Sequence, residues 1–340
     1  MQRDSKGIDP FKMFRRSQQP GAASESGIMA ITDHEFALFQ SLINRESGIH
    51  LTDAKKPLLV GRLSRRLREL GLSSFSAYYR RVVRGDGSDA ERRFMVDCIC
   101  TNETQFFREA RQFEFLETRI IPEWKAQAAS RQRSRRVRVW SSACSTGEEP
   151  FSLAMMLLYH LPAEAGWEIE ILATDLSQRA LESARAAVWP VEKARQISPQ
   201  FLKAFMLQGT RTQQGKMKAG PEIRYVTTFE RVNLNDEVYP VDGLFDLILC
   251  RNVLIYFNAD SKAHVMERLL SRLLPEGYLF LGHAESLSGM GAHVQSVGPT
   301  IYVRPKNAGT AYPLIADKNR PGAMRVPAQA DDPGRRKHQG

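Results

Sequence analysis

Val137 to Ala154 reads VRVWSSACSTGEEPFSLA, and this stretch decides the fold. A short run of β-formers, a polar turn and the start of an amphipathic helix follow one another, the order in which a wound α/β sheet opens. A turn built for a dinucleotide carries G-x-G-x-x-G at this place. Here only Gly147 remains for a tight approach, and Glu148 and Glu149 follow it. Carboxylates at a helix N-terminus repel a pyrophosphate, which needs uncluttered amides.

The pattern repeats on the C-terminal side. Trp167–Ser177 reads as a second strand, Gln178–Trp189 as a helix, Leu244–Asn252 as a third strand, Ser261–Leu274 as a helix and Gly277–His283 as another strand. Alternation of this kind predicts a parallel sheet with helices on its faces and ligands at the carboxyl ends of the strands. The chemistry is therefore expected at Ser141–Glu148, Thr174–Leu176 and Arg251–Tyr256. Asp175 closes the second strand, where a doubly wound fold places the acid that takes ribose hydroxyls. A nucleoside without phosphate and with positive charge meets both requirements, and S-adenosylmethionine is such a ligand.

On the N-terminal side the periodicity is helical throughout. Thr32 and Glu35 form a capping-box signature, and Phe36, Phe39, Leu42 and Ile43 recur behind it until Gly48. A second helix spans Ala54–Gly71 with Leu58, Leu59, Leu63, Leu67 and Leu70 on one side. Further helical patterns cover Phe75–Val83 and Asp89–Cys100, so residues 31–100 are expected to form an all-α domain. Between Lys55 and Arg68 the second helix carries Lys55, Lys56, Arg62, Arg65, Arg66 and Arg68 and no acid. Uncompensated like charge weakens a helix slightly, which favours a docking face for something acidic. The helix has no aromatic to stack on bases, so an acidic protein helix suits it better than nucleic acid.

The chain has 340 residues, a formal net charge of +10 and four cysteines. Cys98, Cys100, Cys144 and Cys250 make no C-x-x-C and read as reduced packing residues rather than a metal site. No apolar run approaches the roughly 18 residues of a membrane span, and the first residues lack the apolar core of a signal peptide, so a cytoplasmic protein without membrane insertion is expected. Residues 1–30 and 306–340 read as tails by composition.

Six motifs in order then carry a resemblance: TNETQFFREARQFEFL (Thr101–Leu116), VWSSACSTGEEPFSLA, LATDLS, FERVNL (Phe229–Leu234), FDLILCRNVLIYF (Phe245–Phe257) and LFLGHAES (Leu279–Ser286). The chain from about Ile31 to Pro305 resembles the CheR family, S-adenosylmethionine-dependent glutamate methyltransferases of chemotaxis receptors. The resemblance implies an all-α domain (31–100), a linker and helix (101–135) and a Rossmann-like methyltransferase domain (136–305) with a small antiparallel β subdomain near 205–230. It implies cofactor contacts from Asn102, Thr104, Arg108, Glu148, Asp175, Asn233, Leu234, Asn252 and Val253, with Arg108 and Tyr256 near the reacting groups. Cys144 departs from the small residue usual in the first turn. The resemblance gives the basic helix a partner, the cytoplasmic helical region of chemoreceptors, and makes Gly209–Glu222 either a grip for a receptor tail peptide or a solvated hairpin.

The implied reaction forms a glutamate γ-methyl ester and S-adenosylhomocysteine. A glutamate of pKa about 4.3 is already ionised at neutral pH, so no general base is needed and the enzyme mainly positions. Arg108 is suited to fork onto a carboxylate, of substrate or cofactor, and Tyr256 either orients the substrate or packs in the core. His283 follows a strand end, but the reaction asks for no proton transfer, so it is read as structural.

Overall fold

The computed structural model describes residues 28–287 and 294–306; the rest of both predicted tails lies outside the described residues. The first described element is α1 (Asp33–Ser47), capped as its sequence predicts: the Glu35 amide donates to Thr32 Oγ1 at 3.1 Å and the Thr32 amide to Glu35 Oε2 at 2.8 Å. Gly48, in the left-handed region at φ 72°, stops the helix. Three more helices, α2 (Lys56–Glu69), α3 (Phe75–Arg84) and α4 (Ser88–Ile99), close around Phe39, Leu59, Leu63, Leu67, Phe75, Tyr78 and Met95. Phe39 stacks on Tyr78 and meets Phe75 edge-on. Each such side chain removed from water contributes about 1.5–3 kcal/mol.

The charge balance of α2 corrects the expectation from its sequence. Acids reach it both from another helix and from its own last turn: Lys56 pairs with Asp33 of α1 at 2.7 Å, and Arg65 with Glu69 at the end of α2 at 2.9 Å. Arg66 forks onto Glu91 at 2.9 and 2.6 Å and also meets Glu69. Arg62 turns to the end of α4. The compensation from Asp33 and Glu91 comes from residues that a window along the helix does not contain.

An extended segment leads to a helical stretch made of α5 (Ala110–Phe115), a π turn over Leu116–Ile120 and α6 (Ile121–Ala129). Then the sheet begins: β1 (Arg136–Ser141), α7 (Glu148–His160), β2 (Glu168–Asp175) and α8 (Gln178–Ala186). The α8 helix is shorter than its sequence pattern. Ala187 turns left-handed at φ 52°, and β3 (Val188–Pro190) follows so that Trp189 packs edge-on against Phe106 and Phe151. After α9 (Pro199–Phe205) come β4 (Met206–Gln208), β5 (Lys216–Ala219), α10 (Pro221–Tyr225), β6 (Thr227–Arg231), β7 (Phe245–Cys250), α11 (Ala259–Ser271), β8 (Leu273–Leu281), β9 (Gln295–Gly298) and β10 (Ile301–Val303).

The seven-stranded sheet has the order β6-β2-β1-β7-β8-β10-β9, parallel from β6 to β8 and antiparallel over the last two strands. Alternate residues serve opposite layers: Val137, Val139, Leu247 and Leu249 join the layer holding α7, while Trp140, Ile248 and Cys250 pack with α11. The antiparallel β3-β5-β4 sheet begins at Val188 and ends at Ala219, earlier than the predicted 205–230, because Thr227–Arg231 returns to the main sheet as its edge strand. All four cysteines are free thiols, and burial pushes those of Cys144 and Cys250 up.

Candidate active site

The chain winds outward from β1 through β2 to β6 and returns to β7, so the strand order reverses between β1 and β7. A cavity of about 430 Å³ opens at the carboxyl ends of these strands, within the size range of small-molecule sites. Asn102, Thr104, Arg108, Asp175, Asn233, Leu234, Asn252, Val253 and Tyr256 all line it.

The turn after β1 is held from within. Cys144 donates its amide to Thr174 O at 2.8 Å, and Ser142 donates through its amide and its hydroxyl to Leu249 O. Ser145 sits at φ 51° and gives its amide to Asp175 Oδ2 at 2.8 Å, while its hydroxyl reaches Asn102 O at 3.0 Å. An amide that a phosphate-binding turn would aim at ligand is thus consumed by the acid of the next strand. Gly147, at φ 95°, is required by packing as well as backbone, since a Cβ would stand 3.0 Å from the Ala184 side chain. Asp175 Oδ1 also accepts from the Ser177 amide at 2.9 Å. Burial pushes the Asp175 pKa up, against the pull of these two N–H groups.

Glu148 is not on the cavity wall, contrary to the sequence expectation. Its side chain is fully buried, salt-bridged to Lys193 and hydrogen-bonded by Thr146 Oγ1 at 2.6 Å. Glu149 takes the wall instead, accepting from Ser141 Oγ at 2.7 Å and from Arg251 Nη1 at 3.0 Å. Burial raises the Glu149 pKa, and the Arg251 charge opposes that rise. Arg251, 2 % exposed, also donates to the Arg108 carbonyl and lies 3.5 Å from Glu109 Oε2. One buried cation therefore ties the first turn, the linker and the end of β7 together. Sequence reasoning reads Glu149 as a first-turn acid and places Arg251 at a strand end that should carry chemistry, but assigns neither an individual site role.

The loop after β7 is held by a second carboxylate. Glu285 accepts from the amides of Asn252, Leu254 and Gly282 at 2.9, 2.8 and 2.6 Å. Asn252 is left-handed at φ 57° and donates Nδ2 to Glu109 Oε1 at 3.3 Å. A Cβ on Gly282 would strike the Asn252 amide at 2.6 Å. Arg108 gives one N–H to Glu103 O at 3.1 Å. The Asn233 side chain is committed to Glu46 O and Asp236, both at 2.9 Å, so the Asn233–Leu234 main chain is what this segment offers a ligand. His283 is exposed and contributes its backbone amide to Glu109.

The remaining wall comes from the helical domain. Ile49 forms a β-bridge with Phe257, and the His50 amide donates to Tyr256 O at 2.7 Å. Gly48 permits this approach, because a Cβ there would meet the Phe257 ring at 2.4 Å. Lys55 and Leu58 of the basic segment also face the cavity. No group of metal-ligating side chains occurs among the described residues. A buried acid at the end of β2, a first turn whose Ser145 amide is already taken and a cavity of this size fit an S-adenosylmethionine.

Comparison with known proteins agrees. Residues 34–100 match the family described as "CheR methyltransferase, all-alpha domain" and residues 102–303 that described as "CheR methyltransferase, SAM binding domain". The chain is 37 % identical over 273 residues to Chemotaxis protein methyltransferase 2 of Pseudomonas aeruginosa, covering 80 % of this chain and 93 % of that one. It is 35 % identical over 280 residues to the Chemotaxis protein methyltransferase of Escherichia coli, covering 82 % and 93 %. The chain belongs to the CheR family and is an S-adenosylmethionine-dependent methyltransferase.

Proposed function

We propose that the chain methylates specific glutamate side chains of chemoreceptors, forming γ-methyl esters and S-adenosylhomocysteine in sensory adaptation. The observation that supports this most is that one cavity wall combines Asp175, a phosphate-free first turn, Arg108 and Tyr256. When bound, the cofactor supplies a methyl group on a sulfonium centre.

The residues act by holding. Each Asp175 oxygen already accepts one backbone N–H and keeps lone-pair capacity for a ribose hydroxyl. The main chain of Asn233 and Leu234 takes the adenine edge, and Asn102, Thr104, Asn252 and Val253 complete the wall. Glu149 lies at the same wall with its charge partly balanced by Arg251, favourable to a cationic ligand. Arg108 presents its fork to a carboxylate, and Tyr256 orients the incoming glutamate. That glutamate is ionised at neutral pH and needs no base, so alignment is the main contribution, up to roughly 7–11 kcal/mol in favourable cases.

The exposed Arg65 and Arg68 of α2 offer the acidic helical region of a receptor a positive face. Val188 and Leu207, exposed on the two edge strands of the small sheet, offer a receptor tail peptide a place to add. The receptors' cytoplasmic region as substrate puts the reaction in the cytoplasm.

The test is incubation with methyl-labelled S-adenosylmethionine and receptor-containing membranes. Label released as methanol by alkali is expected, since a carboxyl ester hydrolyses there. Alkali-stable label, or label on nucleic acid, would overturn the reading.

A further inference from the structure

Arg62 differs from the other cations of α2 in what it touches. It is half-buried and crosses to the C-terminus of α4, where Nη1 donates to the Ile99 and Cys100 carbonyls, the latter at 3.0 Å, and lies 3.4 Å from Cys98 O. Nη2 donates to Thr101 Oγ1 at 2.9 Å. The last carbonyls of a helix lack intrahelical partners, and a cation there satisfies them and complements the helix dipole.

This helix end is also the start of the linker. The α4 helix ends without a glycine: Cys100 leaves in extended conformation at φ −61°, ψ 139°. The chain then runs directly into the linker, whose Thr101, Asn102 and Thr104 line the cavity. Asn102 O accepts the Ser145 hydroxyl, so a shift of the linker would be felt at the first turn as well.

We infer that Arg62 is a positioning residue for the cofactor-binding linker rather than part of a receptor-docking face. Its guanidinium clamps the point where α4 becomes the linker and thereby sets the depth at which Asn102 and Thr104 enter the cavity. A planar fork spans Cys100 O and Thr101 Oγ1 together, which a lysine ammonium on a flexible stem does less well. The inference rests on the cofactor site proposed above and is independent of which protein accepts the methyl group.

Calorimetry of the full chain with S-adenosylhomocysteine, in the absence of receptor, tests it. Arg62→Ala should weaken binding about tenfold or more, a loss typical of hydrogen bonds to a charged group, and Arg62→Lys should recover part of it. Arg68→Ala should leave this affinity unchanged. In transfer assays Arg62→Ala should raise the KM for S-adenosylmethionine and leave the KM for receptor and its salt dependence as in the wild type. Thr101→Val keeps the shape and deletes one partner, and should weaken binding roughly two- to fivefold. An Arg62→Ala protein with wild-type melting temperature and wild-type affinity, or one impaired only in receptor KM, would overturn the inference. If Arg62→Ala unfolds early, Thr101→Val decides, and unchanged affinity there overturns it too. Failure of the wild type to methylate receptors would sink the glutamate reading while leaving these binding results standing.

Discussion

Glu148 and Glu149 show how much a single position matters at this site. Neighbours on a helix project about 100° apart, so one carboxylate at the head of α7 must leave the cavity if the other faces it. Glu148 is enclosed with Lys193, and Glu149 meets Arg251 at the cavity wall. Glu148→Gln should therefore lower stability by about 1–3 kcal/mol, the cost of weakening a buried charged pair, with S-adenosylhomocysteine affinity unchanged. Glu149→Gln should instead weaken that affinity about tenfold, because Arg251 loses the partner that fixes it against the Arg108 carbonyl. Melting curves alongside binding isotherms check both, and an exchange of the two phenotypes would reverse the assignment. In the sequence the pair could be recognised as ligand-facing acids, yet which glutamate turned inward depended on Lys193, far along the chain.

Elements show the same division between local signal and distant cause. The capping box of α1 and the leucine stripe of α2 were legible because each is set within a few residues. Strand β6 was not, since four of its five residues are at least partly exposed and it lacks an apolar alternation, and it exists because β2 pairs with it. In the helical domain Arg66 and Tyr78 both donate to Glu91, whose side chain is 7 % exposed. The Arg66 guanidinium holds the Glu91 carboxyl below the usual range, with Tyr78 adding to it against the opposing effect of burial. A depressed folded pKa stabilises above the unfolded value of about 4.3, and that stabilisation is lost as pH falls through the folded value. Glu91→Gln should cost about 2–3 kcal/mol at neutral pH, and the gap from the wild type should narrow below about pH 4. Thermal melts across that range provide the measurement, and a gap that is constant with pH would exclude the ionised pair as its source.

At the scale of the whole molecule, the two domains share one cavity. The turn after α1 bridges Phe257, the His50 amide holds Tyr256, and the Asn235 side chain reaches Arg45 O at 3.3 Å. The helical domain, expected from its charges to serve docking, is thus also a wall of that cavity. Steering by its basic face should make the initial rate at subsaturating receptor fall as ionic strength rises. Stopped assays across a salt series read this out, and a flat profile would remove electrostatic steering from the account. By itself the sequence determined the α/β architecture and the family, because periodicity, caps and colinear motifs are local properties of the chain. Only the tertiary structure decided that Glu149 rather than Glu148 lines the site, that Arg62 and Arg66 are engaged within the fold, and that the helical domain closes the cavity. Those outcomes depend on groups brought together from far apart in the sequence, where burial and charge pairing are settled by packing.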